Sequence, residues 1–391
     1  SDQTVARMVA GIEAEIFRPD EELRRLARRA VELGVDAEFQ DGRTAQSIMT
    51  ALGTRGAPGQ AWLGELATSR DPWFNINVGD GFYHYHRSWN DDLSMPFAAL
   101  PGYIARVKAG ESLKRPIEKL QAQRRQLIRD YRELLGSEQE REAYDQMIAL
   151  AHRVFPYVEG HKFYCEHWYT NLFFNKIREF GSLLAAHGFF ADAEDVFQLT
   201  HYEVEAAIID LMTSWSNGSP PRGPDHWPQI VSERRAAIAE WAKHSTPPAL
   251  GPVPDVIDDP AIVMLWGITR ESLESWLRDA SGGDSRELRG FAASSGVVEG
   301  PACVVKSVEE IARVRDGDVL VCQITNPTWA PIFQKIAGAV SDIGGSMSHA
   351  AIVAREFGLP AVVGTGTATS RIKDGQRIRV DGGRGVVTIL E

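Results

Sequence analysis

The run Gly344-Gly345-Ser346-Met347-Ser348-His349-Ala350-Ala351-Ile352-Val353-Ala354-Arg355-Glu356 has the residue types and spacing of a phosphoryl-transfer site. Two glycines allow a backbone path that a β-carbon would obstruct, Ser346 or Ser348 can cap a helix, and Gly358 followed by Pro360 ends it. His349 therefore sits at a helix mouth. Unpaired amides and the positive end of the macrodipole favour an anion there and disfavour imidazolium. A neutral imidazole beside such a site is a nucleophile suited to carrying a phosphoryl group. Gly344, Gly345, Ser346, Ser348 and Arg355 are its candidate supports, with Arg355 either meeting an incoming phosphate or serving a structural ion pair.

Two other stretches are dense in functional side chains. Between Asp71 and Asp92 lie Trp73, His84, His86, Arg87, Trp89 and Asp91. Aromatic rings can wall a pocket for a planar substrate, while His86, Arg87 and Asp91 can supply a base and a phosphate clamp. The same residues read equally as an aromatic plug between helices. A metal reading of His84 and His86 with Asp91 and Asp92 lacks further spaced ligands, and no metal is assigned. The second stretch holds His161, Lys162, His167 and Arg178, and on a helix His161, Tyr164, His167 or Trp168, Asn171 and Arg178 share overlapping faces. It is a ligand-facing stripe or a buried one.

These residues need a frame. The chain of 391 residues is too long for one compact core and divides into two or three domains. Leu23, Leu26, Ala27 and Ala30 recur at helical spacing before Gly34, a second helix covers 45–52, and Gly56, Pro58 and Gly59 mark a loop. Residues 96–216 read as helical almost throughout, with Pro116 opening one long helix and Gly136-Ser137 starting the next. The proline-rich 216–228 stretch predicts an irregular loop, followed by helices over 229–242 and 270–278. Beyond it, apolar runs at 304–305, 319–322, 337–340, 361–363, 378–380 and 386–390 predict strands, alternating with helices at 307–314, 329–335 and 349–357. The expected architecture is a mainly helical domain over 1–278, a swivel linker over 279–289 and a β/β/α domain over 290–391.

Composition excludes some partners. With 42 basic and 53 acidic residues the net charge is −11, which argues against nucleic acid. No apolar run is long enough to span a membrane, and Ser1-Asp2-Gln3-Thr4 is not a signal peptide, so a cytoplasmic location is expected. The three widely spaced cysteines form no metal-type pattern. The missing initiating Met suggests a trimmed chain.

Gly344-Gly345, His349, Ala354-Arg355 and Gly358-Leu359-Pro360-Ala361-Val362-Val363-Gly364 together resemble the phosphohistidine swivelling domain of the phosphoenolpyruvate-utilising enzymes. The likeness extends upstream through Ser294-Ser295-Gly296, Asp316-Gly317-Asp318 and Thr325-Asn326-Pro327-Thr328-Trp329-Ala330-Pro331. One position departs, since the Thr that often stands two before the histidine is Met347, leaving Ser346 and Ser348 to supply a hydroxyl. A weaker likeness, Glu194-Asp195-Val196-Phe197-Gln198-Leu199-Thr200, links the helical part to the rifampin phosphotransferase type. The resemblance implies a phosphohistidine intermediate at His349, loaded from ATP and Mg²⁺ bound by an ATP-grasp partner or missing domain, with release of AMP and phosphate. No ATP-grasp segment and no C-terminal phosphoenolpyruvate/pyruvate barrel is evident. This pattern is similar to the histidine-bearing subunit of phenylphosphate or methylphenyl phosphate synthase, and implies a phenol or alcohol acceptor. A carrier module whose acceptor chemistry lies on a partner is the alternative.

Overall fold

Leu23, Leu26, Ala27 and Ala30 are fully buried along the helix Arg18–Glu32, and they centre a helical core that includes Ile48, Leu52, Trp62, Phe97 and Leu100. The computed structural model describes residues 2–40, 42–79, 82–244, 250–280, 286–306 and 308–390. Gly34 has φ +67°, a left-handed geometry that ends the first long helix as predicted. At Gly56, Pro58 and Gly59 the expected loop is instead the helix Gly56–Arg70. Proline in a first turn forfeits no intrahelical bond. Gly59 is needed for packing, because a β-carbon there would lie 2.0 Å from the Leu52 carbonyl oxygen of the preceding helix Ala45–Thr54.

The long helices Ile117–Glu133 and Glu138–His161 follow Pro116 and a Ser137/Glu140 capping box. The latter runs without a break into a π-helical turn, Lys162–Tyr169, and on into Thr170–Ala186. A second helical core, around Leu184, Phe189, Val196, Leu211 and Trp227, joins the helices His201–Asn217 and Gly223–Trp241. The predicted irregular loop thus ends early, since the helix accepts Pro224 in its first turn and carries Pro228 within it. No helix among the described residues is long and apolar enough to cross a membrane.

The described residues of the C-terminal part contain eight strands: β1 (Glu287–Arg289), β2 (Phe291–Ser294), β3 (Val297–Val305), β4 (Val319–Cys322), β5 (Gly338–Ser341), β6 (Ala361–Val363), β7 (Arg377–Asp381) and β8 (Val386–Ile389). Their order is β1-β8-β7-β3-β4-β5-β6-β2, with β3, β4, β5 and β6 parallel and the remaining pairs antiparallel. In β4, Val319 and Val321 enter a core shared with Ile378, Val380 and Val387, whereas Leu320 and Cys322 enter one shared with Phe333, Ala351 and Ala354. Both faces of the strand are buried, hence its unbroken apolar run. The C-terminal part is thus a mixed sheet with a core on each face, one of them packed against helices. Of the expected 279–289 linker, residues 287–289 form β1 paired with β8, 281–285 lie outside the described residues, and 279–280 end the helix Arg270–Ala280.

One element escaped the sequence reading. The π-helical turn Ile262–Trp266 lies across the glycine turn, where the amides of Gly344, Gly345 and Met347 donate to the carbonyls of Trp266 (3.1 Å), Leu265 (2.9 Å) and Met264 (2.9 Å). Trp276, on the following helix, donates its indole N–H to the Gly364 carbonyl at 3.3 Å. This strap needs both glycines. Gly344 has φ +131°, and a β-carbon on Gly345 would sit 2.4 Å from the Met264 oxygen. We predict that Gly345→Ala costs about 1–3 kcal/mol, read as a lower melting temperature together with faster proteolysis within 255–267; an unchanged melt would mean that the strap is not fastened there.

Candidate active site

In the open parallel part of such a sheet, loops leaving the carboxyl ends of neighbouring strands converge, and ligands bind there. The loop after β4 carries Thr325 and the loop after β5 carries His349. Thr325 Oγ1 and His349 Nδ1 are 3.1 Å apart. In the tautomer that places the proton on Nδ1, this bond holds the ring and leaves Nε2 as the nitrogen available to react.

His349 opens the helix His349–Phe357, which ends at Gly358 in a left-handed conformation, as the sequence predicts. Ser348 occupies the N-cap but its hydroxyl makes no capping bond. Instead Ser348 Oγ and Ser346 Oγ are both buried without a hydrogen-bond partner, an arrangement that leaves two hydroxyls for a ligand. Gly344 and Gly345 give the turn a backbone path that a β-carbon would obstruct, as the sequence predicts. Their amides are taken by the strap, so they shape the turn rather than cradle phosphate. Arg355 likewise turns away from the site, bonding the Ala293 carbonyl at 2.7 Å and the Ser346 carbonyl, so it braces the turn from behind. Burial, with Arg7 adding repulsion, lowers its pKa to about 10.

His349 borders a cavity of about 330 Å³ between the sheet domain and the helical part. Ile16, Phe17, Phe82, Leu265, Trp266, Ile324 and Met347 form its apolar wall, and Lys162, Glu166, His167, Thr325 and Ser348 its polar one. The π-helical turn explains the second group. Bonding from i to i+5 stacks residues five apart, whereas on an α-helix Lys162 and His167 would diverge.

His167 is buried, and its Nδ1 accepts the Asn77 backbone N–H at 3.2 Å. The ring proton must then be on Nε2, which makes His167 a donor to the cavity rather than a base. Burial, with Lys162 adding repulsion, pushes the His167 pKa down to about 4 and that of His349 to about 3. Both rings are thus neutral in the folded chain and charged in the unfolded one below about pH 6.5. Their contribution to stability is present above that pH and is lost as the pH falls toward 3. Imidazole proton resonances should therefore show neither ring titrating between about pH 8 and 5, and a midpoint near 6.5 for His349 would contradict the enclosed site.

The other predicted substrate residues do not line this cavity. Trp89 is fully buried edge-on to Phe74, and Trp73 packs against Phe163 beneath the Arg18 guanidinium. The His84 ring stacks on Phe197 at 4.2 Å, and burial lowers its pKa. Arg178 bonds Glu194 at 2.7 Å and the His84 carbonyl, and Arg87 reaches the same carboxylate at 3.4 Å. Asp91 accepts the Ser88 amide at 3.0 Å, His86 lies edge-on to Tyr85, and His161 faces Glu166 at 3.5 Å. Of the described residues in the aromatic stretch, only Phe82 lines the cavity. Thr325, Glu166 and the strap residues were not singled out from the sequence. Thr325 does stand inside the 325–331 motif, and its place after a parallel strand was the available signal.

Residues 314–385 match the mobile domain of the PEP-utilising enzymes. The chain is 30% identical over 299 residues to the uncharacterized phosphotransferase YvkC of Bacillus subtilis, covering 75% of this chain and 33% of that protein. It is 30% identical over 305 residues to the rifampicin phosphotransferase of Bacillus cereus, covering 77% and 32%. The phosphoenolpyruvate synthase of Aeropyrum pernix is 52% identical over 101 residues, 26% of this chain and 12% of that one. The chain thus spans a minor share of each relative's length, and the likeness to the first two reaches well into the helical part. His349 and its glycine turn lie inside the matched segment, so residues 314–385 form a mobile domain of the PEP-utilising enzyme type.

Proposed function

We propose that this chain is the carrier and acceptor portion of an ATP-dependent phosphotransferase, in which His349 passes a phosphoryl group to the hydroxyl of a small neutral acceptor. An ATP-grasp subunit or domain, with Mg²⁺, converts ATP and water into AMP and phosphate while a P–N bond forms at His349 Nε2. In the second step the acceptor oxygen attacks phosphorus, the P–N bond breaks, and its electron pair returns to Nε2. Thr325 holds the ring throughout, and Lys162 with the hydroxyls of Ser346 and Ser348 stabilises the phosphoryl oxygens.

The cavity that His349 shares with Lys162, Glu166 and His167 is the observation that carries this reading over a carrier without acceptor chemistry. Four carboxylates border it. Asp20 is paired with Arg24, Glu159 with Lys162 at 2.7 Å, and Glu356 with Arg115 at 2.6 Å, which leaves Glu166 to take the acceptor proton. Arg24 and Arg115 are thus taken up by carboxylates, and Lys162 keeps its remaining donors for the phosphoryl oxygens. No further cation among the described lining residues is left for an acceptor carboxylate, and the rings of Phe17, Phe82 and Trp266 suit a flat apolar molecule, a phenol before an aliphatic alcohol.

The test supplies the chain with its ATP-grasp companion, ATP labelled in the β- and γ-phosphates, and a panel of phenols, alcohols and pyruvate. Label should pass through an acid-labile adduct at His349 to a neutral hydroxyl. Label held on the protein against the whole panel would favour the carrier reading, and transfer to pyruvate alone would overturn the neutral acceptor.

A further inference from the structure

The helix that begins with His349 is gripped at its other end. Glu356 lies seven residues on, about 10 Å along the axis, and forms a 2.6 Å ion pair with Arg115 of the helical part. The two side chains are only 10% and 7% exposed. Arg115 is itself fixed, with its guanidinium 3.8 Å over the ring of Phe17, a residue of the acceptor wall. Three neutral contacts cross the same boundary. Gln334 donates to the Tyr103 hydroxyl at 2.6 Å, Trp329 donates its indole N–H to the Val78 carbonyl at 3.3 Å, and Asn326 donates to that same carbonyl. Arg106 also donates to Gln334, and the Arg24 guanidinium lies 6.0 Å from the Phe357 ring centroid, but among the described residues Arg115–Glu356 is the ion pair that joins the helical part to the nucleophile's own helix.

We propose that Arg115 and Glu356 form a docking latch that seats the His349 helix against the acceptor cavity, and that they act as positioning residues for the transfer half of the reaction. The proposal rests on the phosphotransfer reading for its role in turnover, though not for its geometry. An intact buried pair gains little net energy, because desolvation offsets the attraction. It therefore defines where the carrier sits without trapping it there, as a body that must leave on each cycle requires. Either charge left alone is costly to bury, so losing one partner disfavours the docked arrangement far more than losing a neutral contact would. Rigidity of the helix passes the register from Glu356 to His349.

The experiment uses the full chain bearing Glu356→Gln, Arg115→Met or the exchange Arg115→Glu/Glu356→Arg, each checked for an unchanged melt. Diethyl pyrocarbonate modification of His349, followed by peptide mass mapping, reads docking without ATP or acceptor. Each single variant should react at least about tenfold faster than the parent, and the exchange should recover most of the protection. With the ATP-grasp companion present, transfer to the acceptor should fall by a similar factor while loading of His349 changes less than about twofold. Parental reactivity in both single variants, or equal losses in loading and transfer, would overturn the latch. Should Arg115→Met fail to fold, Glu356→Gln, which keeps the side-chain shape, carries the same test. Absence of phosphate on His349 in the parent would instead defeat the phosphotransfer reading and leave the modification result standing.

Discussion

Replacement of His349 by alanine is expected to reduce incorporation of acid-labile, base-stable phosphate to background, the largest effect any single change in this chain should produce. Its ring is held at Nδ1 by Thr325 at 3.1 Å, which leaves Nε2 to react at the cavity. Burial keeps that ring neutral, so its lone pair is present across the working pH range. His167, the other ring at the cavity, cannot substitute, because its Nδ1 already accepts the Asn77 amide. Phosphate retained at parental levels in the alanine variant would require a different nucleophile and would remove the basis for the proposed function. The fold should persist, since the side chain borders the cavity and belongs to neither core of the sheet.

The second large effect is expected at Lys162. Replacement by methionine should leave loading of His349 nearly intact and slow transfer to the acceptor by about 10²–10³-fold, the usual scale for removing one preorganised charge or donor from a developing anion. The asymmetry follows from position. Lys162 belongs to the helical part and meets His349 only across the shared cavity, where its charge already depresses both imidazole pKa values. One complication is structural, because Glu159 relies on Lys162 at 2.7 Å and is itself buried. The double variant Glu159→Gln/Lys162→Met removes the stranded carboxylate. If transfer recovers in the double variant, the loss reflected the lone Glu159 rather than catalysis; if it stays low, Lys162 acts on the phosphoryl group. Single-turnover transfer from preloaded protein is the measurement.

The nucleophile helix was legible because its signals are local. Gly344-Gly345 before it and Gly358-Leu359-Pro360 after it fix both ends without reference to the rest of the chain. The apolar run of β4 was legible for the same reason, as burial on both faces leaves no alternation to misread. Other features depend on contacts distant in sequence. Ile262–Trp266 is a short apolar run between Pro260 and Gly267, and its partners lie some eighty residues on, at 344–347. In the aromatic stretch, ring density announced a packed or binding surface without telling which. Trp89 faces the core while Phe82 faces the cavity, and only tertiary packing decides between them. Lys162 and His167 were picked out, but the α-helical spacing used to group His167 with Arg178 is not the spacing the chain adopts. The switch to i→i+5 bonding turns the first two toward His349, whereas Arg178 remains on the Glu194 side.

The turn Ile262–Trp266 bears on where a separable carrier begins. A fragment cut at residue 286 would retain every strand yet bare three amide donors at Gly344, Gly345 and Met347 and unseat Trp276 from Gly364. Excised pieces meant to accept phosphate alone should therefore start near residue 255, so that the histidine's own loop travels with the peptide that covers it.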